Sequence, residues 1–224
     1  MPQFRRALVA AALALCAGAA LASRSIAPPS LDDETTQTHQ DGTHIAMAIW
    51  VPNEVFRKAA SDLDPAAVKQ VAEALKGYAI VGIVDVNITA PEGNVVPAGR
   101  AGMLASTRLQ LGERAPLPIL QGKDLPPVVS AAAEVFKKMM AGMVGKLGDS
   151  MEFVVFKDAD ERGSSLADPH ASGVMTLTFD KETFVWRLPL VSVLPLHVDR
   201  ATGDTFPGDY EFSPFTGHKL EAAP

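Results

Sequence analysis

The sequence predicts an α+β fold: a two-layer, largely antiparallel sheet with helices packed on one face, plus a small β-knuckle C-terminal tail. Three observations carry this expectation. From Pro126 to Gly148, apolar residues recur at the spacing of one helix face, through Val129, Ala132, Val135, Phe136, Met139, Met140, Met143 and Leu147. From Tyr78 to Thr89 the chain is dense in Ile and Val. Asp85, Asn87 and Thr89 alternate with apolar residues only in the second half, as in a strand leaving the core. From Gly173 to Leu190, two alternating runs flank Asp180-Lys181-Glu182, the pattern of a hairpin.

The other elements follow in chain order. Ile45 to Val51 reads as a first strand ended by Pro52, and Asn53 caps a short helix through Ala60. Asp64 and Pro65 supply the cap and first turn of another helix, which Gly77 ends. Pro91 to Gly102 is a turn-rich connection. Met103 to Leu111 alternates like a strand, expected to pair with Tyr78–Thr89 as a wide hairpin. The long helix is expected to stop at Gly148, and Val135→Asp is expected to wreck its buried stripe. Met151 to Lys157 reads as a further strand. No internal repeat is read.

The N-terminus predicts export. Arg5 and Arg6 precede an uncharged apolar run from Ala7 to Leu21, too short to span a bilayer, and Ala20-Leu21-Ala22 makes a small-x-small cleavage site before Ser23. Residues 1–22 therefore read as a signal peptide, with no transmembrane segment left after cleavage, and the localisation expected is periplasmic or extracellular. A lipoprotein signal at Cys16 is the weaker alternative, because Leu15 is large where a small residue is wanted. Cleavage removes the only cysteine, so no disulfide, thiolate ligand or Cys nucleophile is expected. It also takes the formal charge from -6 to -8 by removing Arg5 and Arg6, which disfavours nucleic acid and anionic lipid as partners. Residues 23–43, with Pro28-Pro29, three consecutive acids and a polar run, read as a disordered linker, with His39 in it and His44 beside it both solvated. Residues 44–192 form the globular α+β domain and residues 193–224 the tail.

Candidate chemistry concentrates in the loop from Asp158 to His170. Asp158, Asp160 and Gly163 match three places of a calcium loop, but Arg162 and Pro169 occupy places where oxygen ligands belong, so a solvated acidic loop is expected. Ser164, Ser165, Asp168 and His170 sit too close in sequence to make a persuasive nucleophile, base and orienter, and Gly-x-Ser-x-Gly is absent. A carboxylate pair, such as Glu152 or Glu161 with an Asp, remains open because such pairs are defined in space. No metal site and no cofactor is expected. Met139, Met140 and Met143 are candidates for an adaptable apolar groove, with plain core packing as the alternative. Trp50 and Trp186 read as core.

The tail carries Leu194-Pro195-Leu196-His197-Val198-Asp199 and Ser213-Pro214-Phe215-Thr216-Gly217-His218. These segments resemble the two Cys-Pro-x-Cys-Gly knuckles of a zinc ribbon that has lost its cysteines, with Leu194, His197, Ser213 and Thr216 at the ligand places. The resemblance covers only about residues 193–220. It implies two tight turns without the metal, and a docking role or an edge-covering role for the tail. Phe215 and His218 are its candidate binding residues. The functional expectation is a secreted or periplasmic, non-enzymatic binding or interaction module for another envelope protein or an apolar ligand. The alternative is a metal-independent hydrolase using carboxylates or His170. If Asp158, Asp160, Asp168 and His170 converge in a concave pocket, the enzyme gains; if they splay while Met139 or Met143 meets solvent or a groove, binding gains.

Overall fold

The computed structural model describes residues 24–59, 64–89, 93–160, 163 and 165–223. The expected signal peptide lies outside the described residues. The chain divides into two compact units: Pro29–Leu194, and the segment up to Pro28 together with Pro195–Pro224.

The larger unit is α+β with open antiparallel sheets. Its elements are α1 (Leu31–Thr35), β1 (Thr36–Asp41), β2 (His44–Trp50), α2 (Asn53–Ala59), α3 (Pro65–Ala74), β3 (Tyr78–Thr89), β4 (Asn94–Pro97), α4 (Arg100–Ser106), β5 (Arg108–Leu111) and β6 (Leu117–Pro118). Next come α5 (Pro127–Val144), α6 (Lys146–Asp149), β7 (Glu152–Lys157), β8 (Gly173–Phe179) and β9 (Glu182–Leu188). β1 to β4 run in sequence order in one sheet, and β7 joins it on β3. The long β3 has β2 along one edge. Its other edge is shared, with β7 opposite Tyr78–Ile83 and β4 opposite Val86–Thr89. A four-stranded sheet runs β6-β5-β8-β9.

Alternation along β3 separates two faces. Ala79, Val81 and Ile83 pack with Leu109, Met175, Leu177, Phe184 and Trp186 of the four-stranded sheet, whereas Ile80 packs with Leu75, Val129, Ala132 and Phe136 of the helices. The expected helix layer therefore covers one face, and a second sheet covers the other. This is why Ile80–Val84 reads as apolar in both registers. Each large side chain so buried contributes about 1.5 to 3 kcal/mol. Trp50 and Trp186 meet edge-on at 6.3 Å between ring centroids, both in the core. Asp64 caps α3 by accepting from the Ala67 N–H.

Several expectations are corrected. The linker over 23–43 is not disordered where described: Ser30 caps α1, and β1 pairs with β2 from Thr36↔Ile49 to Asp41↔His44. Polar side chains do not prevent an edge strand, because its backbone bonds do the ordering. His39 stacks on Phe184 and contacts Glu182 at 2.8 Å, and His44 contacts Asp85 at 2.7 Å, so neither is simply solvated. Met103–Ser106 is helical, and the hairpin partner of β3 is β4. Met103 and Thr107 share a face in either period, and the Thr107 hydroxyl donates to the Met103 carbonyl. α5 presents Val129, Ala132 and Phe136 to the core, while Val135 is 62% exposed and Val128 is exposed as well. The helix stops earlier than expected, at Gly145 with φ 56°. Gly148 serves a different need, since a Cβ there would overlap the Met140 carbonyl.

The smaller unit has β10 (His197–Val198) flanked by β11 (Thr205–Phe206) and β12 (Glu221–Ala222). Residues 24–26 run beside β11: Arg24 N–H donates to Asp204, Ile26 N–H to the Thr205 carbonyl, and Thr205 N–H to the Ser25 hydroxyl. Two turns share one construction. In Asp199–Asp204, the Gly203 N–H donates to the Asp199 carbonyl and the Asp199 N–H to the Asp204 carbonyl. In Ser213–His218, the Gly217 N–H donates to the Ser213 carbonyl and the Ser213 N–H to the His218 carbonyl. Gly203 (φ 78°) and Gly217 (φ 73°) take the left-handed conformation that only glycine adopts without strain. Each turn's first side chain accepts from the N–H two residues on, and each threonine hydroxyl accepts from the N–H two residues later. The chain thus repeats a six-residue turn, although no repeat was expected. The first of the two turns involves Asp199 and Thr202 and not Leu194 and His197. Leu194 belongs to the larger unit, and His197 is a β10 residue whose ring bonds the Tyr210 carbonyl.

Candidate functional site

A cavity of about 480 Å³ opens in the larger unit where the end of β2, the start of α2, the α3–β3 turn and the loop after β7 come together. Trp50, Val51 and Ile80 form its apolar wall. Glu54, Lys76, Asp158, Ser165, Asp168 and His170 supply polar groups.

Glycine at 77 lets the loop after β7 approach β3. Gly77 has φ 76°, and a Cβ there would lie 2.9 Å from the Ala159 Cβ. The Gly77 N–H donates to the Ser165 hydroxyl and its carbonyl accepts from the Asp158 N–H. Asp158 folds the loop back on itself: one carboxylate oxygen accepts from both Leu166 and Ala167 N–H at 2.8 Å. It is not a solvated loop acid, being 1% exposed. Burial pushes its carboxyl up to about 6, aided by the Asp168 charge, while the two N–H donors oppose the rise. Asp168 accepts from the His170 N–H in a short Asx turn, which carries His170 to the cavity rim.

Glu54, in the first turn of α2, faces this loop. One carboxylate oxygen lies 3.4 Å from His170 Nε2 and 3.9 Å from Arg57. The other, Oε2, is buried and has no hydrogen-bond partner. Lys76 is tied to Glu73 at 2.7 Å on the surface.

Of the four loop residues named from the sequence, Asp158, Asp168 and His170 line the cavity and Asp160 does not. Glu54 was missed. It lies more than a hundred residues before the loop, and only the pairing of β3 with both β2 and β7 brings the two together. No local pattern marks it. Among the described residues, no hydrogen bond joins the His170 ring to a serine, and the Ser165 hydroxyl is engaged by Gly77. Glu152 is held by Arg100 at 2.8 Å and Lys137 at 3.3 Å, with no Asp beside it in that network. Glu161 and Ser164 lie outside the described residues.

The other candidate residues sit elsewhere. Met139 and Met140 are half-buried against the helix-side core, beside Phe136 and Leu147 respectively, and the Met143 side chain lies outside the described residues. In the smaller unit, Phe215 is 46% exposed with its ring against Phe206 and Arg24, and His218 contacts Asp199 at 3.2 Å. No group of three or more His, Cys, Asp and Glu among the described residues is placed to hold a metal ion, and none of the described helices is long and apolar enough to cross a membrane. In comparisons with known proteins, no family model, no curated protein and no solved structure matches the chain.

Proposed function

We propose that this chain is an exported, non-enzymatic binding protein whose larger unit takes a small ligand in the cavity lined by Trp50, Glu54, Asp158 and His170. One observation carries the reading: polar side chains from three separate stretches of chain converge on one cavity, without a nucleophile hydrogen-bonded to a base among the described residues. Export rests on the charged, apolar and small-x-small order of residues 1–22. The C-terminal unit is a metal-free counterpart of a zinc ribbon. Its paired turns support that likeness, with Asp199 and Thr202 in one and Ser213 and Thr216 in the other where such a ribbon carries thiolates. A docking role for that unit rests on exposed Phe212 and Phe215.

Hydrolysis is the second reading: Asp158, Asp168 and His170, though not Asp160, line the same cavity, and such convergence is the outcome that favours an enzyme. Native mass spectrometry of protein purified gently from its own source separates the two. A retained small molecule, lost when Asn53→Trp fills the cavity mouth, supports binding. A bare mass together with turnover in an ester and amide panel, abolished by His170→Gln, supports hydrolysis instead.

A further inference from the structure

We propose that the outer face of β5, β8 and β9 is a docking surface for an acidic, extended peptide segment. This face belongs to the larger unit and shares no residue with the cavity lined by Glu54 and His170. Successive strand residues point to opposite sides, so Leu109, Leu177 and Trp186 enter the core while their neighbours face outward. The register sets the outward residues in three rows: Arg108, Thr178 and Thr183; Gln110, Thr176 and Val185; Val174 and Arg187. Val174 and Val185 are each 43% exposed, so the threonine methyls around them belong to an apolar patch that the fold leaves uncovered.

Charge identifies the occupant. Arginines stand at opposite corners of the three rows, and no carboxylate stands in any of them. Arg187 has no ion pair among the described residues, and Arg108 spends only Nη1, on the Ala105 and Thr107 carbonyls. At the hairpin end, Asp180 is tied to the Ser106 hydroxyl and Glu182 to His39. In a chain of formal charge -6, a face with two arginines and no acid complements carboxylates. Strand geometry makes the patch about 14 Å by 10 Å, the footprint of one extended segment of about five residues; a globular partner needs about 800 Å² a side. The first, third and fifth residues of such a segment share a face. Carboxylates at the first and fifth reach toward Arg108 and Arg187, while a β-branched third residue packs on Val185 and Thr176. An anionic lipid surface is the poorer fit, because peripheral elements hold it with long apolar side chains that insert, and this face offers only short ones.

The test is a titration of the ¹⁵N-labelled protein, at low salt, with the peptide acetyl-Glu-Ser-Val-Ser-Glu-amide, and with the same peptide carrying Gln or Lys in place of both Glu residues. The acidic peptide is expected to give saturating shifts at the amides of Val174, Thr176, Thr183 and Val185, and added sodium chloride should weaken them. The Gln peptide should bind about fivefold or more weakly, and Arg187→Gln should weaken the acidic peptide about threefold, with Arg187→Lys in between. Unchanged shifts across β2 and β3 establish that each variant is folded. Equal binding of the Glu and Gln peptides, or tighter binding of the Lys peptide, would overturn the acidic partner. Equal binding of the acidic peptide by wild type and Arg187→Gln would remove Arg187 from the surface and with it the charge argument. Broadening of these amides by phosphatidylglycerol vesicles, with no response to the acidic peptide, would replace the peptide by a lipid surface and sink the proposal. Silence at these amides toward every probe would sink it as well, and neither result bears on the cavity.

Discussion

The Thr216 hydroxyl donates a 2.7 Å hydrogen bond to the Asp199 carboxylate, which is 1% exposed. Through that bond the first position of one turn grips the fourth position of its repeat. The His218 ring lies at 3.2 Å from the same carboxylate.

Thr216→Val keeps the shape of the side chain and removes the donor. The Thr216 hydroxyl is the largest influence holding the Asp199 carboxyl below its usual range, assisted by the Ala201 N–H and His218 and opposed by burial. A carboxyl so depressed stabilises the folded state above the ordinary aspartate value, and that stabilisation is lost as the pH falls through the lower folded value. Hydrogen exchange at the Gly203 and Gly217 amides is therefore expected to quicken roughly tenfold at neutral pH in the variant. Its acid unfolding, followed by the same amides, should begin at higher pH than in the wild type. Unchanged exchange would mean that the two turns stand independently.

Asp158 has the opposite sign. Its folded-state value of about 6 exceeds the ordinary 3.8, so the folded state favours the protonated acid. Stability from this group is present below pH 4 and is lost as the pH rises through about 6, by up to roughly 3 kcal/mol. Asp158→Asn should flatten urea-unfolding stability between pH 4 and 7. A wild-type stability that rises across that window, with the same slope in the variant, would assign the pH dependence elsewhere.

Two glycines near the end of α5 predict opposite outcomes. Gly142 has open space where a Cβ would go, so Gly142→Ala should stabilise by about 0.5 to 1 kcal/mol through helix propensity. Gly148→Ala would drive a methyl into the Met140 carbonyl and Ala141 Cα, costing on the order of 2 kcal/mol or more. Thermal unfolding of the two variants side by side reads both.

Neighbours on α5 form a similar pair. Val135→Asp, expected from the sequence to be destructive, should change stability by less than about 0.5 kcal/mol because the position is 62% exposed. Phe136→Ala, at 3% exposure between Phe56 and Phe153, should cost about 3 to 5 kcal/mol. Equal losses would mean that the helix packs in a different rotation.

The α+β class was legible because it depends on local periodicity. Tyr78–Thr89, Gly173–Phe179 and the Asp180–Lys181 turn each declare themselves within a dozen residues. Met103 and Thr107 misled because spacings of two and of three to four coincide over so short a run. Val135 misled because a helix rich in alanine and valine carries more apolar residues than its buried face can hold. β1 was hidden because its polar residues gain order from β2 and from long-range contacts such as Gln37 with Val185, which no local pattern shows. The cavity was half legible. Asp158, Asp168 and His170 stood out as a cluster of reactive types, while Glu54 is assigned only by strand pairing. The tail's turns were legible as Pro and Gly chemistry at Ser213–Gly217, but the matching Asp199–Gly203 turn lacks the proline that drew attention to its partner.

The hydrogen bond from Arg24 to Asp204 joins residues 180 positions apart, and those from Ile26 and to Ser25 span nearly the same length. Synthesis runs in one direction, so residues 24–26 emerge well before Thr205 and wait while the residues between them are made. The Pro29–Leu194 unit is one uninterrupted stretch and has every strand partner in hand before residue 195 appears. The smaller unit is therefore the last to close, its ring drawn shut around a loop whose entropy cost grows only as the logarithm of its length. A chain arrested before Asp204 retains all the strand partners of the larger unit and none of these partners for residues 24–26, so this closure marks that synthesis has passed Thr205.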